Sequence, residues 1–97
     1  MPVEVRLHPE AERELRAAFV WYLDRNVLVA EAFQSEVSHA IRVVADDPNR
    51  WPKLTSSLRR YVFPRFPFTL VYRTKAKHVE VIAIAHQKRK PEYWRSR

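Results

Sequence analysis

At 97 residues the chain makes one domain, spanning 1–97 and long enough to bury about two-thirds of the surface its unfolded form exposes. Hydrophobic residues make up 46% and charged ones 30%, ordinary proportions for a soluble globular protein. No apolar run approaches the ~18 residues of a membrane span, and the polar, alternating start is unlike a secretory leader, so a cytoplasmic location is expected. The absence of cysteine excludes disulfides and thiolate metal sites, and the net charge of +7 calls for a polyanion, an acidic protein or an anionic membrane surface as partner.

Val3, Val5 and Leu7 alternate with Glu4, Arg6 and His8, the period-two pattern of a short strand with one wet face. His8-Pro9-Glu10 then opens a helix, with Pro in the first turn and acids at 10, 12 and 14 near the positive end of the dipole. Ala11, Leu15, Ala18, Phe19, Tyr22 and Leu23 give it one apolar stripe. Asp24-Arg25-Asn26 interrupts, and a second helix is predicted over Val27 to Ala45, burying Ala30, Phe33, Val37, Ala40, Ile41 and Val44. It stops at Asp46-Asp47-Pro48, because the residue before proline disfavours helical dihedrals. So short a connector implies an antiparallel helical hairpin.

Asn49 to Leu58 reads as a polar loop anchored by Trp51 and Leu54. Arg60–Arg65 is a strand interrupted by Pro64, hence an edge or bulged strand. Phe66-Pro67 makes a corner, and Phe68–Thr74 is a clearer strand with Phe68, Leu70 and Tyr72 on one face. After the turn at 75–78 comes Val79–Ala85, with Ile82 and Ile84 opposing Val81, Ala83 and Ala85. Apolar residues on both faces make it central. The fold class expected is α+β: β-α-α-β-β-β, an antiparallel-rich sheet with the helical hairpin packed on one face. With no glycine and seven prolines, Asn, Asp and Pro must punctuate it.

Charge is uneven along this order. Residues 59–97 hold eleven Lys and Arg against two acids, whereas residues 1–58 hold seven against nine. Arg60, Arg65, Arg73, Lys88, Arg89 and Lys90 are therefore candidates for a phosphate-binding or acid-binding face. Tyr93 and Trp94 have the chemistry to stack on a base, but such a pair more often docks a tail against a sheet. His86, at the end of the central strand, is a candidate for proton transfer, though a structural hydrogen bond to the C-terminal tail is the role favoured for it. His8, His39 and His78 lack ligand spacing, so neither a metal nor a cofactor is expected. Glu12 and Glu36 are assigned to the solvent faces of their helices. The basic tail lacks the sustained apolar face that membrane binding requires.

Arg60-Tyr61, Phe68-Thr69-Leu70-Val71-Tyr72-Arg73, Ile82-Ala83-Ile84-Ala85-His86 and Arg89-Lys90-Pro91-Glu92-Tyr93-Trp94, in this order of elements, resemble the RelE/ParE superfamily of type II toxin–antitoxin toxins over nearly the whole chain. The resemblance implies a growth-inhibiting toxin neutralised by a cognate antitoxin. RelE-like members cut mRNA on the ribosome; ParE-like members inhibit DNA gyrase. If the chain were a ribonuclease, the likeness would put Arg89, Tyr93, His86 and Arg73 in the catalytic site. Arg60, Arg65, Lys88, Arg89, Lys90 and Trp94 are the residues expected to contact target or antitoxin. Aligned on the Leu70-Val71-Tyr72 strand, the nuclease branch's pre-strand Arg falls on Thr69 and its sheet lysines fall near Tyr61 and Phe63. That departure leans the reading towards a ParE-like, non-nucleolytic toxin; the alternatives are a RelE-like ribonuclease and an inactive, antitoxin-binding member.

Overall fold

The computed structural model describes residues 2–97. Strand β1 (Glu4–Leu7) leads into helix α1 (Pro9–Leu23) and helix α2 (Val27–Asp46), followed by β2 (Arg59–Val62), β3 (Phe68–Thr74) and β4 (His78–His86). The sheet order is β1-β4-β3-β2. The β2–β3 and β3–β4 pairs are antiparallel and β1 runs parallel to β4, so the expected β-α-α-β-β-β order and antiparallel-rich sheet are both present. β2 is an edge strand and β4 is flanked on both sides along its first half.

Local chemistry sets the boundaries. His8 caps α1, its Nδ1 accepting the Glu10 amide at 3.0 Å, with Pro9 in the first turn. Asn26 caps α2 through Oδ1, which accepts the amides of Leu28 and Val29. β2 ends at Val62, earlier than Arg65, because Pro64 has no amide to donate. With no glycine available, Glu92 takes the left-handed turn position in the tail at φ 63°, a conformation that costs about 1–2 kcal/mol for an L-residue.

Both faces of the sheet are covered. Against the helices lie Phe68, Leu70, Tyr72, Val79, Val81 and Ile84, together with Phe33, Val37, Ala40 and Val44. On the other face Val71, Ile82, Ala83 and Ala85 are covered by Leu54, Leu58, Tyr93 and Trp94. The strict alternation expected for β4 fails at its middle. Val71 pairs with Ala83 but Tyr72 with Val81, so Ile82 is an extra residue. This bulge sends Val81 and Ile84 to one face, and Ile82, Ala83 and Ala85 to the other.

Glu36 is not on a solvent face. It is 4% exposed, and its carboxylate accepts both the backbone amide and Nε of Arg65, at 3.0 and 2.9 Å. The spacing 33-36-40 places it on the buried stripe, where an acid needs a partner. Trp51 anchors its loop as expected, its Nε1 reaching the Val43 carbonyl and its ring standing edge-on to Tyr61.

Phe33 holds the aromatic centre, fully buried with its ring 5.2–6.4 Å from those of Tyr22, Phe63, Phe66 and Phe68. Phe33→Ala is expected to cost about 3–5 kcal/mol, measured as a lower urea midpoint with an unchanged m-value.

Candidate functional site

One carboxylate organises the region where α1, β4 and the C-terminal tail meet. Glu14 sits on the inner side of α1, between Ala11 and Ala18 in helical spacing, and its side chain is 14% exposed. Its Oε1 accepts the Ile84 amide at 3.0 Å. The Tyr93 hydroxyl donates to Oε2 at 2.6 Å, and Arg97 donates to both oxygens at 3.0 Å. Arg97 also donates to the Ile82 carbonyl at 3.0 Å. Two orphaned backbone groups of β4 and two tail side chains are thus satisfied around a single acid.

Arg89 joins this cluster from above. Its guanidinium lies over the Tyr93 ring at 3.9 Å and approaches Glu14 at 4.0 Å, while half its side chain stays exposed. Burial, then the hydrogen bond to Glu14, pushes the Tyr93 phenol far above the usual tyrosine range, against the opposing pull of Arg89 and Arg97. A phenol so held donates a hydrogen bond well and gives up its proton poorly near neutral pH.

The other predicted residues are distributed. His86 is half-buried, edge-on to Phe68 at 5.0 Å, with Nδ1 accepting the Lys88 amide. Arg73 lies elsewhere: its Nε donates to Glu80 at 2.8 Å and its terminal nitrogen to the Arg97 carbonyl at 3.1 Å. That hydrogen bond, partly offset by burial, holds the Glu80 carboxyl below the usual carboxylate range. Arg65 is tethered to Glu36 although its side chain is 68% exposed. Arg60 is exposed on β2, while Lys88 and Lys90 are exposed beyond β4. Trp94 is half-buried against the second sheet face and stands edge-on to Tyr93, so the pair docks the tail.

The structure therefore brings Arg89, Tyr93 and His86 to one end of β4 but leaves Arg73 and Arg60 outside the group. Glu14 and Arg97, which hold that end together, were not singled out in the sequence. A charged residue in register with Ala11 and Ala18 was the signal available for Glu14; Arg97 carried none. Beside Arg89 runs an open groove of about 570 Å³, lined by Ala17, Ala18, Trp21 and Tyr22 of α1 and by Ile84 and His86 of β4. Trp21, which lines it, is 53% exposed, and Leu28 at the start of α2 is 74% exposed. Among the described residues no three His, Asp or Glu side chains are grouped to hold a metal ion, and no helix is long and apolar enough to cross a membrane.

A small α+β domain with a hairpin on one sheet face and a basic, aromatic tail on the other has the architecture of a toxin of this superfamily. The family model for the ParE toxin of the type II toxin–antitoxin system, parDE, matches residues 5–91. The chain belongs to that family. Among solved structures, a chain described as "Chromosomal ParDE TA system from P. aeruginosa" superposes with a TM-score of 0.74 at 18% identity, covering 87% of this chain and 95% of that one; this likeness is one of fold. No curated protein shows significant similarity.

Glu14→Ala removes the acceptor for Ile84, Tyr93 and Arg97 together and strands the Arg97 charge. Roughly 3 kcal/mol of stability should be lost, read by thermal and urea unfolding. Glu12→Ala, on an exposed position of the same helix, should stay within about 0.5 kcal/mol.

Proposed function

We propose that this chain is a cytoplasmic ParE-type toxin that inhibits growth by binding DNA gyrase, without chemistry of its own, and is silenced by a cognate antitoxin. Membership of the ParE family supports this reading over the ribonuclease one. The observation that carries it within the molecule is the commitment of the would-be catalytic side chains to structural work. Cleavage of RNA by a 2′-hydroxyl needs a base, an acid and cations placed around one phosphate. Here Tyr93 is spent on Glu14 and Arg73 on Glu80, and the positions corresponding to the nuclease branch's sheet cations hold Thr69 and aromatic side chains.

In that reading the exposed Lys88, Arg89 and Lys90, together with Trp94, Arg60 and Arg65, serve recognition. Exposed like-charged groups favour capture of an acidic protein face. The antitoxin stabilises the toxin by mass action and covers the surface that the target needs.

Two assays separate the readings: supercoiling of relaxed plasmid by purified gyrase with added toxin, and primer extension on cellular mRNA minutes after induction without antitoxin. Loss of supercoiling activity with intact mRNA is expected, and mRNA should stay intact for Arg89→Ala as well. Discrete cuts within translated regions that vanish in Arg89→Ala would overturn the proposal in favour of a ribonuclease. Growth arrest with neither signature would point to another target, and unimpaired growth to an inactive member.

A further inference from the structure

Strand β1 forms one edge of the sheet, and its outer side is open. In a parallel ladder, alternate residues turn both backbone groups to the neighbouring strand. The His8 amide donates to the Val81 carbonyl at 2.8 Å, and Leu7 is the residue in register with Val81, which fixes the phase. Glu4, Arg6 and His8 address β4, so the backbone groups of Val3, Val5 and Leu7 point away from it. The Val3 amide, on that outer side, is taken by the Ala45 carbonyl near the end of α2 at 3.1 Å. Among the described residues nothing bonds the amides and carbonyls of Val5 and Leu7. Such unpaired groups are a template for another strand. The side chains of Val5 and Leu7 pack on the core yet stay partly exposed. Glu4 and Arg6 stand on the opposite face, where Arg6 donates to both Glu4 oxygens at 3.0 and 3.1 Å.

We propose that this edge pairs with a second copy of the chain, β1 to β1 and antiparallel, about a two-fold axis at Val5 that merges the two sheets. Charge selects both the occupant and the register. Antiparallel self-pairing through the outward groups has three short registers. Centred on Glu4 it sets carboxylate against carboxylate, and centred on Arg6 it sets guanidinium against guanidinium; both are unfavourable. Centred on Val5 it sets Glu4 of each copy directly opposite Arg6 of the other. Val5 then exchanges both of its hydrogen bonds with Val5 of the second copy. Each Leu7 amide meets the other copy's Val3 carbonyl, whose own amide is the one already engaged. On the helix side Val3, Val5 and Leu7 meet their counterparts and cover apolar surface that an edge leaves wet. Another protein would need this charge alternation reversed along its strand, and β1 read antiparallel supplies it. Glu4 and Arg6 are already paired within the strand, so exchanging partners fixes register more than it adds affinity. The interface is small, which makes the dimer weak and concentration-dependent. The pairing leaves β2 free at the far edge and holds whatever the toxin's target is.

The test is sedimentation equilibrium of the purified full chain over a wide concentration range. A reversible monomer–dimer equilibrium is expected. Glu4→Arg and Arg6→Glu, both at exposed positions, should each weaken self-association at least tenfold. An equimolar mixture of those two variants should regain the parent's affinity as a heterodimer, because every opposed pair is then again of unlike sign. Val5→Pro removes the outward amide without touching the ladder to β4 and should weaken the dimer at least tenfold. In a mixed-isotope sample of the parent, the Hα of Glu4 in one copy should contact the Hα of Arg6 in the other, as a non-hydrogen-bonded antiparallel pair requires. A chain that stays monomeric throughout overturns the proposal. So does a dimer whose affinity the charge variants leave unchanged, or two variants that fail to recover it on mixing. Should Val5→Pro fail to fold, the charge exchange and the Hα contact decide.

Discussion

The structure depends on how the far half of β4 is satisfied. β4 is nine residues long and β1 only four, so a buried strand runs past the end of its neighbour. An unpaired amide or carbonyl beside an apolar core costs about as much as a lost hydrogen bond. Continuing β1 would meet that need, but His8-Pro9 turns the chain into α1 instead. The acid that α1 carries on its inner side then takes over the missing strand's acceptor role, and a tail arginine takes the donor role. This explains why a turn-rich tail with few regular hydrogen bonds lies fixed on the sheet. It is held by Glu14 through Tyr93 and Arg97, and by Trp94 against Ile82, Ala83 and Ala85.

The same economy governs the basic excess. Arg65, Arg73 and Arg97 each lean on a carboxylate that is itself substantially buried. Their charges hold the corner, the sheet and the tail in place. The cations left outward are Lys88, Lys90 and Arg60, with Arg89 half-engaged, and these are among the residues that the proposed function assigns to a partner. A ParE-type domain built this way has much of its sheet chemistry devoted to architecture, and the proposed recognition would fall to the rim. That division suits a protein that acts by binding.

Periodicity made most of the fold legible. Period-two alternation marked β1 and β3, and two helical stripes around Asp24-Arg25-Asn26 marked the hairpin. Pro64 marked β2 as an interrupted edge strand, although the strand ends at Val62 and does not run on to Arg65. What stayed hidden has identifiable causes. Val81 to Ala85 is apolar at every position, so alternation carries no phase and the bulge at Ile82 left no trace. Glu14 and Glu36 sit in the register of the buried stripes, but an acid counts as polar in any such pattern, and its rescue comes from residues 83 and 29 positions away. The parallel pairing of β1 with β4 is equally long-range. The tail's docking was readable from Tyr93-Trp94 as an aromatic pair after a strand. Its clamp was not, because Arg97 looks like any basic terminus-proximal residue until Glu14 is placed beside it.

The most direct test of this account is native-state hydrogen exchange at the Ile84 amide in the free chain. If Glu14 substitutes for a strand there, Ile84 should exchange only with the global unfolding of the domain, as slowly as Leu70 in the middle of the sheet. In Glu14→Gln its exchange should accelerate together with loosening of Tyr93 to Arg97, while Leu70 keeps the protection set by overall stability. Rapid exchange at Ile84 in the parent chain, or protection untouched by Glu14→Gln, would mean that the edge is satisfied in some other way and that the carboxylate does not organise this end of the molecule.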